Sequence, residues 1–231
     1  MQKRLARKLD LEILLSKVKP HPTPSPGLEQ YTVSASLAAQ MLYMAAFTYG
    51  DILDKTVLDL GCGTGRLALG AAFLGAREVV GVDIDKTAVR VASENSVNTG
   101  LKGKVQWVAA DIDVICGEFD TVLQNPPFGV QKRGADRRFL EKALESSKAV
   151  YSLHKSTQNN VTLPRKPQAR SDNAGRFLPS PFLGRFIEKH DGTIKAVYPM
   201  MMTIPHMFDF HTRPRHEFTV ELYVIERRQK T

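Results

Sequence analysis

The chain has 231 residues, of which 42% are hydrophobic, enough for one α/β domain with a sizeable core. Its formal net charge of +8 points to an acidic partner, and nucleic acid is the commonest such partner for a basic protein. Two cysteines, Cys62 and Cys116, form neither a disulfide framework nor a zinc spacing. No apolar run approaches the roughly 20 residues of a membrane span, and the basic start is not followed by a signal-type apolar stretch. A cytoplasmic protein with no membrane association and no bound metal is expected.

Two parts are expected: residues 1–27 as a helix with a connector, and residues 28–231 as a single domain. Between Arg4 and Val18, helical spacing puts Leu5, Leu9, Ile13 and Leu14 on one side of an amphipathic helix at the domain edge. Pro20 to Gly27 carries too many prolines for helix or ladder and reads as an extended connector. Gln30 follows, just ahead of a helix that Ser34 or Ser36 can cap, with Leu37, Met41, Leu42 and Ala45 facing inward.

Thr56 to Gly70 (TVLDLGCGTGRLALG) is the strongest local pattern. Val57, Leu58 and Leu60 read as a buried strand, and Gly61, Gly63 and Gly65 punctuate a tight turn into a helix. Such glycines let a ligand approach backbone N–H groups at a helix start. The spacing is G-x-G-x-G rather than the dinucleotide G-x-G-x-x-G, and Asp59 ahead of the loop repels a pyrophosphate. A cationic amino acid moiety fits instead, with its ammonium on Asp59 and its carboxylate on the glycine loop.

Glu78 to Asp85 is a second strand ending in Asp83, where such folds bind ribose hydroxyls. After a helix over Thr87 to Asn98, Val105 to Ala109 is a third strand ending near Asp111. There a carboxylate can accept from an adenine amino group and the Ile112 N–H can donate to the ring. Trp107 reads as core.

Phe119 to Gln124 is a fourth strand that stops at Asn125, Pro126, Pro127 and Phe128, because two prolines can neither join a ladder nor continue a helix. The Asn125 amide and the Pro126 carbonyl can accept both hydrogens of a planar exocyclic amino group, and Phe128 offers a face for stacking. Ligands of open α/β sheets bind outside the carboxyl ends of the strands, so Asp59, Asp83, Asp111 and Asn125 fall on one rim.

Beyond it, Gln131 to Arg138 (QKRGADRR) is a basic loop suited to phosphates, and Asp136 to Ser147 reads as a helix. Ala149 to Leu153 is a fifth strand in which Tyr151 packs, followed by His154 and Lys155 as candidates to face a substrate backbone. Residues 158–181 read as a long surface loop that can contact RNA. Phe182 to Lys189 is a short helix, and Thr193 to Tyr198 and Phe218 to Ile225 are the last strands. An aromatic and basic turn, His206 to Arg213, lies between those strands, and its histidines lack metal spacing.

LDLGCGTG, VDID, AADI and NPPF together resemble class I S-adenosylmethionine-dependent methyltransferases that act on amino groups. More narrowly, LEQY, NPPFG, AVYSLHKS (Ala149 to Ser156) and MFDFH resemble the methyltransferase-like protein 5 family, which methylates adenine N6 in small-subunit ribosomal RNA. The likeness runs from about Leu28 to Ser156 and resumes near the C-terminus. It implies a Rossmann-like α/β fold: a mostly parallel seven-stranded sheet with an antiparallel last strand and helices on both faces. It implies S-adenosyl-L-methionine as cofactor at Gln30, Asp59, Gly61, Gly63, Thr64, Asp83, Ile84, Asp111 and Ile112. Asn125, Pro126, Pro127 and Phe128 would then hold the target base. It further implies structured RNA as substrate and a small zinc-binding activator protein as partner. DNA adenine or protein glutamine methylation would use the same corner, and an RNA-binding ribosome-assembly role would need no chemistry. The chain departs from the family at Thr32 and Val33, where Pro-Thr is usual, and at Arg66, where a small apolar residue is frequent.

Overall fold

A computed structural model describes residues 6–129, 134–156, 178–205 and 215–228. In chain order the elements are α1 (Lys8–Ser16), α2 (Ala35–Phe47), β1 (Thr56–Leu60), α3 (Arg66–Phe73), β2 (Glu78–Asp83), α4 (Lys86–Asn98) and β3 (Gln106–Ala109). They continue with β4 (Phe119–Gln124), α5 (Ala135–Ser146), β5 (Ser147–Lys155), α6 (Pro181–Lys189), β6 (Gly192–Pro205) and β7 (Arg215–Arg227). The seven strands form one sheet in the order β3-β2-β1-β4-β5-β7-β6. Pairings β1–β2, β1–β4, β2–β3 and β4–β5 are parallel, and only β7 runs against its neighbours β5 and β6. This is the doubly wound architecture with an antiparallel last strand that the motifs imply.

Two apolar clusters cover the two faces of the sheet. One holds α1, α2 and α3 residues against Val57, Leu123 and Leu222; the other holds α5 and α6 residues against Leu58, Val122 and Tyr223. Successive side chains of a strand point to opposite faces, so neighbours such as Val57 and Leu58, both at 0% exposure, divide between them.

Helix α1 corrects the expected face. Leu9 and Ile13 are 59% and 50% exposed and only Leu14 of the expected face packs against the main core, Leu5 lying outside the described residues, whereas Leu11, Leu15 and Val18 are buried in that core. The reason lies in α3: Gly70 leaves a notch that Leu42, Leu15 and Leu11 fill, which turns the 11/15/18 stripe inward. Helix α2 behaves as its pattern predicts, with Ser34 accepting from Leu37 N at 3.2 Å and Leu37, Met41, Leu42 and Ala45 buried.

The connector at residues 20–27 is tied down rather than loose. His21 is buried, Pro26–Leu28 form a 3-10 turn, and Ser25 N donates to Gln30 Oε1 at 2.7 Å. Strands β6 and β7 run further than the pattern suggests, pairing without a break from Met200↔Val220 out to Pro205↔Arg215. The basic residues 131–133, the surface loop of 158–177 and the aromatic turn of 206–213 lie outside the described residues. No described helix is long and apolar enough to cross a membrane.

Candidate active site

Each parallel strand delivers its feature to the same rim. Directly after β1, Gly61, Gly63 and Gly65 take φ of +75°, +53° and +88°, a region that a Cβ disfavours. Gly65 also has no room for a side chain, because a Cβ there would meet the Trp107 ring at 2.5 Å. At Gly63 an added Cβ would meet nothing within 4 Å, so this glycine faces open space. The loop is pinned to the end of β2: Gly61 N and Cys62 N donate to Val82 O at 2.9 Å each, and Gly63 N donates to Asp83 Oδ2 at 2.8 Å.

Asp83 also accepts from Asp85 N at 2.9 Å, and each of its oxygens retains a further lone pair. Burial raises its pKa against those two N–H bonds. Asp59 lies deeper, 1% exposed, with Oδ2 accepting from Ala68 N at 2.8 Å in the first turn of α3. Burial pushes its carboxyl up to about 7. Asp111 accepts from Asp113 N at 3.0 Å and pairs with Arg138 of α5.

A second wall comes from the segment ahead of α2. Gln30 Nε2 donates to Asp85 Oδ2 at 2.7 Å, and His21 Nε2 lies 3.0 Å from the same oxygen. His21 Nδ1 accepts from Thr23 N at 3.1 Å. Burial raises the Asp85 pKa, but bonds from Gln30, Thr87 and Ala88 outweigh it and the net shift is downward. Glu29 holds φ +49° and is 6% exposed; its Oε2 accepts from Phe128 N at 2.7 Å.

The Asn-Pro-Pro-Phe corner begins where β4–β5 pairing ends, at Gln124↔Ser152. Asn125 Nδ2 donates to Tyr31 O at 3.2 Å, which orients the amide so that Oδ1 is buried without any partner. An acceptor left unsatisfied in this way costs about 1–3 kcal/mol unless a donor arrives.

These features enclose a cavity of about 340 Å³. It is lined by all nine residues expected to hold the cofactor, Gln30, Asp59, Gly61, Gly63, Thr64, Asp83, Ile84, Asp111 and Ile112, and by Asn125 and Pro127 at the corner. Pro126 is buried and Phe128 lies outside the lining, its ring 5.9 Å from Phe218 at 87°.

Two expectations change. His154 does not face a substrate: it is 4% exposed, with Nε2 2.8 Å from Ser152 Oγ and its ring on Tyr223, and burial lowers its pKa to about 4. Arg138 is engaged by Asp111 and Asp113, and Arg137 stacks over Phe182 at 5.7 Å, so this half of the basic loop serves the protein itself. Sequence reasoning also missed Phe139, whose ring closes over Gly61, and Glu29, both on the cavity wall, as well as Asp85, which accepts from Gln30 behind that wall. Asp85 was detectable as the N-cap residue ahead of Lys86.

Known proteins share this fold. The methyltransferase small domain family model matches residues 37–155. The Methanocaldococcus jannaschii protein MJ0284, uncharacterized, is 35% identical over 235 residues, spanning 96% of this chain and 95% of that one. The rRNA N(6)-adenosine-methyltransferase METTL5 of Danio rerio is 41% identical over 159 residues, 66% of this chain and 76% of the relative. The crystal structure of PH1948 from Pyrococcus horikoshii, provisionally assigned as an RNA methyltransferase, superposes with a TM-score of 0.79 at 37% identity, covering 97% of this chain and 99% of that one. Fold, rim and kinship agree, and the chain belongs to the class I methyltransferases of the small-domain family, alongside the methyltransferase-like protein 5 enzymes.

Proposed function

We propose that the protein transfers a methyl group from S-adenosylmethionine to the N6 of an unpaired adenine in ribosomal RNA, specifically that of the small subunit. The observation that carries this reading is the buried, unpartnered Oδ1 of Asn125 at the edge of an acid-lined cavity. A planar amino group supplies the donor this oxygen lacks.

The cavity fits the cofactor in chemistry as well as volume. Gly63 leaves open space for a ligand, Asp83 retains acceptor capacity for ribose hydroxyls, and Asp111 with Ile112 stands where the adenine ring would lie. When bound, the donor would supply an electrophilic methyl on a sulfonium that leaves as a neutral thioether, so that no base need act before attack and the nitrogen gives up its surplus proton to solvent afterwards. The chain's own task is alignment. Asn125 Oδ1 and the Pro126 carbonyl would draw the two amino hydrogens into line, favouring a pyramidal nitrogen aimed at the methyl. Phe128, braced by Phe218, would wall the base, which must leave its stack to enter.

The net charge of +8 suits an RNA partner. Strand β3 leaves one edge of the sheet without a partner among the described residues, and Val114, in the turn beyond it, is 59% exposed. A small zinc-binding activator would add a strand at that edge. Cys62 and Cys116 are both free, which suits the reducing cytoplasm where ribosomal RNA is met.

Mass spectrometry of nucleosides from ribosomal RNA tests the reading. A strain lacking this protein is expected to lose N6-methyladenosine at one small-subunit position, and full methylation at every site in that strain would overturn the assignment.

A further inference from the structure

Arg66 opens α3 directly behind the glycine loop and lines the cavity. Its guanidinium donates Nη1 to Val33 O and, at 2.8 Å, Nη2 to Val18 O, while Nε is buried without a partner. Both acceptors are neutral carbonyls, and two of five N–H groups are used. Burial lowers its pKa to about 10, and no acid offsets that effect. The other arginine on the wall differs: Arg138 pairs with Asp111 and Asp113. Acids hold the rest of the lining, namely Glu29, Asp59, Asp83 and Asp111. A zwitterionic ligand therefore finds carboxylates for its cationic groups at several places, and one cation awaiting an anion.

We infer that Arg66 is the seat of the methyl donor's carboxylate, so that the site selects amino acid sulfonium donors over decarboxylated ones. This rests on the methyl-donor reading above. Charge decides the placement: toward Glu29, Asp59, Asp83 or Asp111 a carboxylate faces like charge, whereas beside Arg66, directly behind the glycine loop expected to receive it, it gains a charge-assisted partner and relieves a buried cation.

Calorimetry with S-adenosylmethionine and decarboxylated S-adenosylmethionine tests this on wild type, Arg66→Gln and Arg66→Lys, each first checked by its melting profile. Wild type is expected to prefer the carboxylate-bearing donor by roughly 10–100-fold, the size of a charge-assisted bond. Arg66→Gln is expected to bring that ratio close to one by weakening only the carboxylate-bearing donor, with Arg66→Lys in between. Equal weakening of both ligands would assign Arg66 to anchoring Val18 and Val33 and overturn the inference. A wild-type ratio near one overturns it without need of a folded variant. Absence of binding by either sulfonium to wild type would overturn the methyl-donor reading and this inference with it, an outcome distinct from normal binding without discrimination.

Discussion

At the residue scale, one carboxylate holds the corner in place. Glu29 reaches from the segment ahead of α2 to the backbone N–H of Phe128, 99 positions away in sequence, while Tyr31 O steadies the Asn125 amide. Glu29→Ala leaves the Phe128 N–H without its acceptor and the corner without its brace. Loss of turnover by about 10–100-fold is expected, with stability lowered by roughly 1–3 kcal/mol, the penalty for an unsatisfied buried donor. Glu29→Gln retains a carbonyl oxygen and is expected to recover much of the rate; single-turnover methylation and thermal melts check both variants. Asn125 and the acidic strand ends were legible in sequence, because proline grammar and carboxylates at strand termini act locally. Glu29 was not, since its partner is remote and its left-handed backbone at φ +49° leaves no mark in residue type. His154 was misread for a related reason: strand pattern says which residues alternate, not that Ser152 and Tyr223 close over that position.

At the element scale, the glycine loop is only as well placed as α3, and α3 is set by how closely α1 and α2 approach it. A Cβ at Gly70 would overlap Leu42 Cδ1 and meet Leu15 Cδ2 at 3.4 Å and Leu11 Cδ1 at 3.5 Å. Gly70→Ala gains helix propensity of about 1 kcal/mol but is expected to lose more by overpacking, for a net destabilisation of about 1–2 kcal/mol. Adding Leu42→Val removes the methyl in the way, so the double variant is expected to be more stable than the sum of the singles; urea denaturation reads the coupling. Helix α1 shows why periodicity alone named the wrong stripe. Leucine and isoleucine cover more than one face over Leu9 to Leu15, and Gly70 on another helix chooses among them. Where a helix has a single apolar face, as in α2, pattern and structure coincide.

At the scale of the whole molecule, buried ionisable groups tie stability to pH. His154 is neutral in the fold, its pKa lowered from 6.5 to about 4 by burial. The unfolded chain binds that proton more readily, so the imidazole imposes no penalty above pH 6.5, and stability is lost as pH falls from there toward 4. The loss approaches about 3 kcal/mol. Asp59, raised from 3.8 to about 7, has the opposite sign, its protonated form being the one the fold favours. His154→Phe removes the first effect and also a hydrogen-bond partner of Ser152, so it is expected to be less stable at pH 7 and to close the gap as pH drops to 4.5. Paired melts across that range show whether the gap closes. The seven-stranded, mostly parallel sheet with its antiparallel last strand followed from the family resemblance, whereas the extent of β6 and β7 was not legible, because prolines at 199 and 205 argue against long pairing. That extent shapes what the protein can grip. Past the last β5 partner of β7, Val220, the β6–β7 pairing continues for five positions, an overhang of roughly 17 Å on the side where β5 and its parallel neighbours end. Phe218 on this overhang touches Phe128, so the ribbon stands as an outrigger beside the pocket mouth. A polymer seated there is gauged by its contour next to the reactive base, and a loose nucleoside, too small to span that reach, is left with the pocket's grip alone.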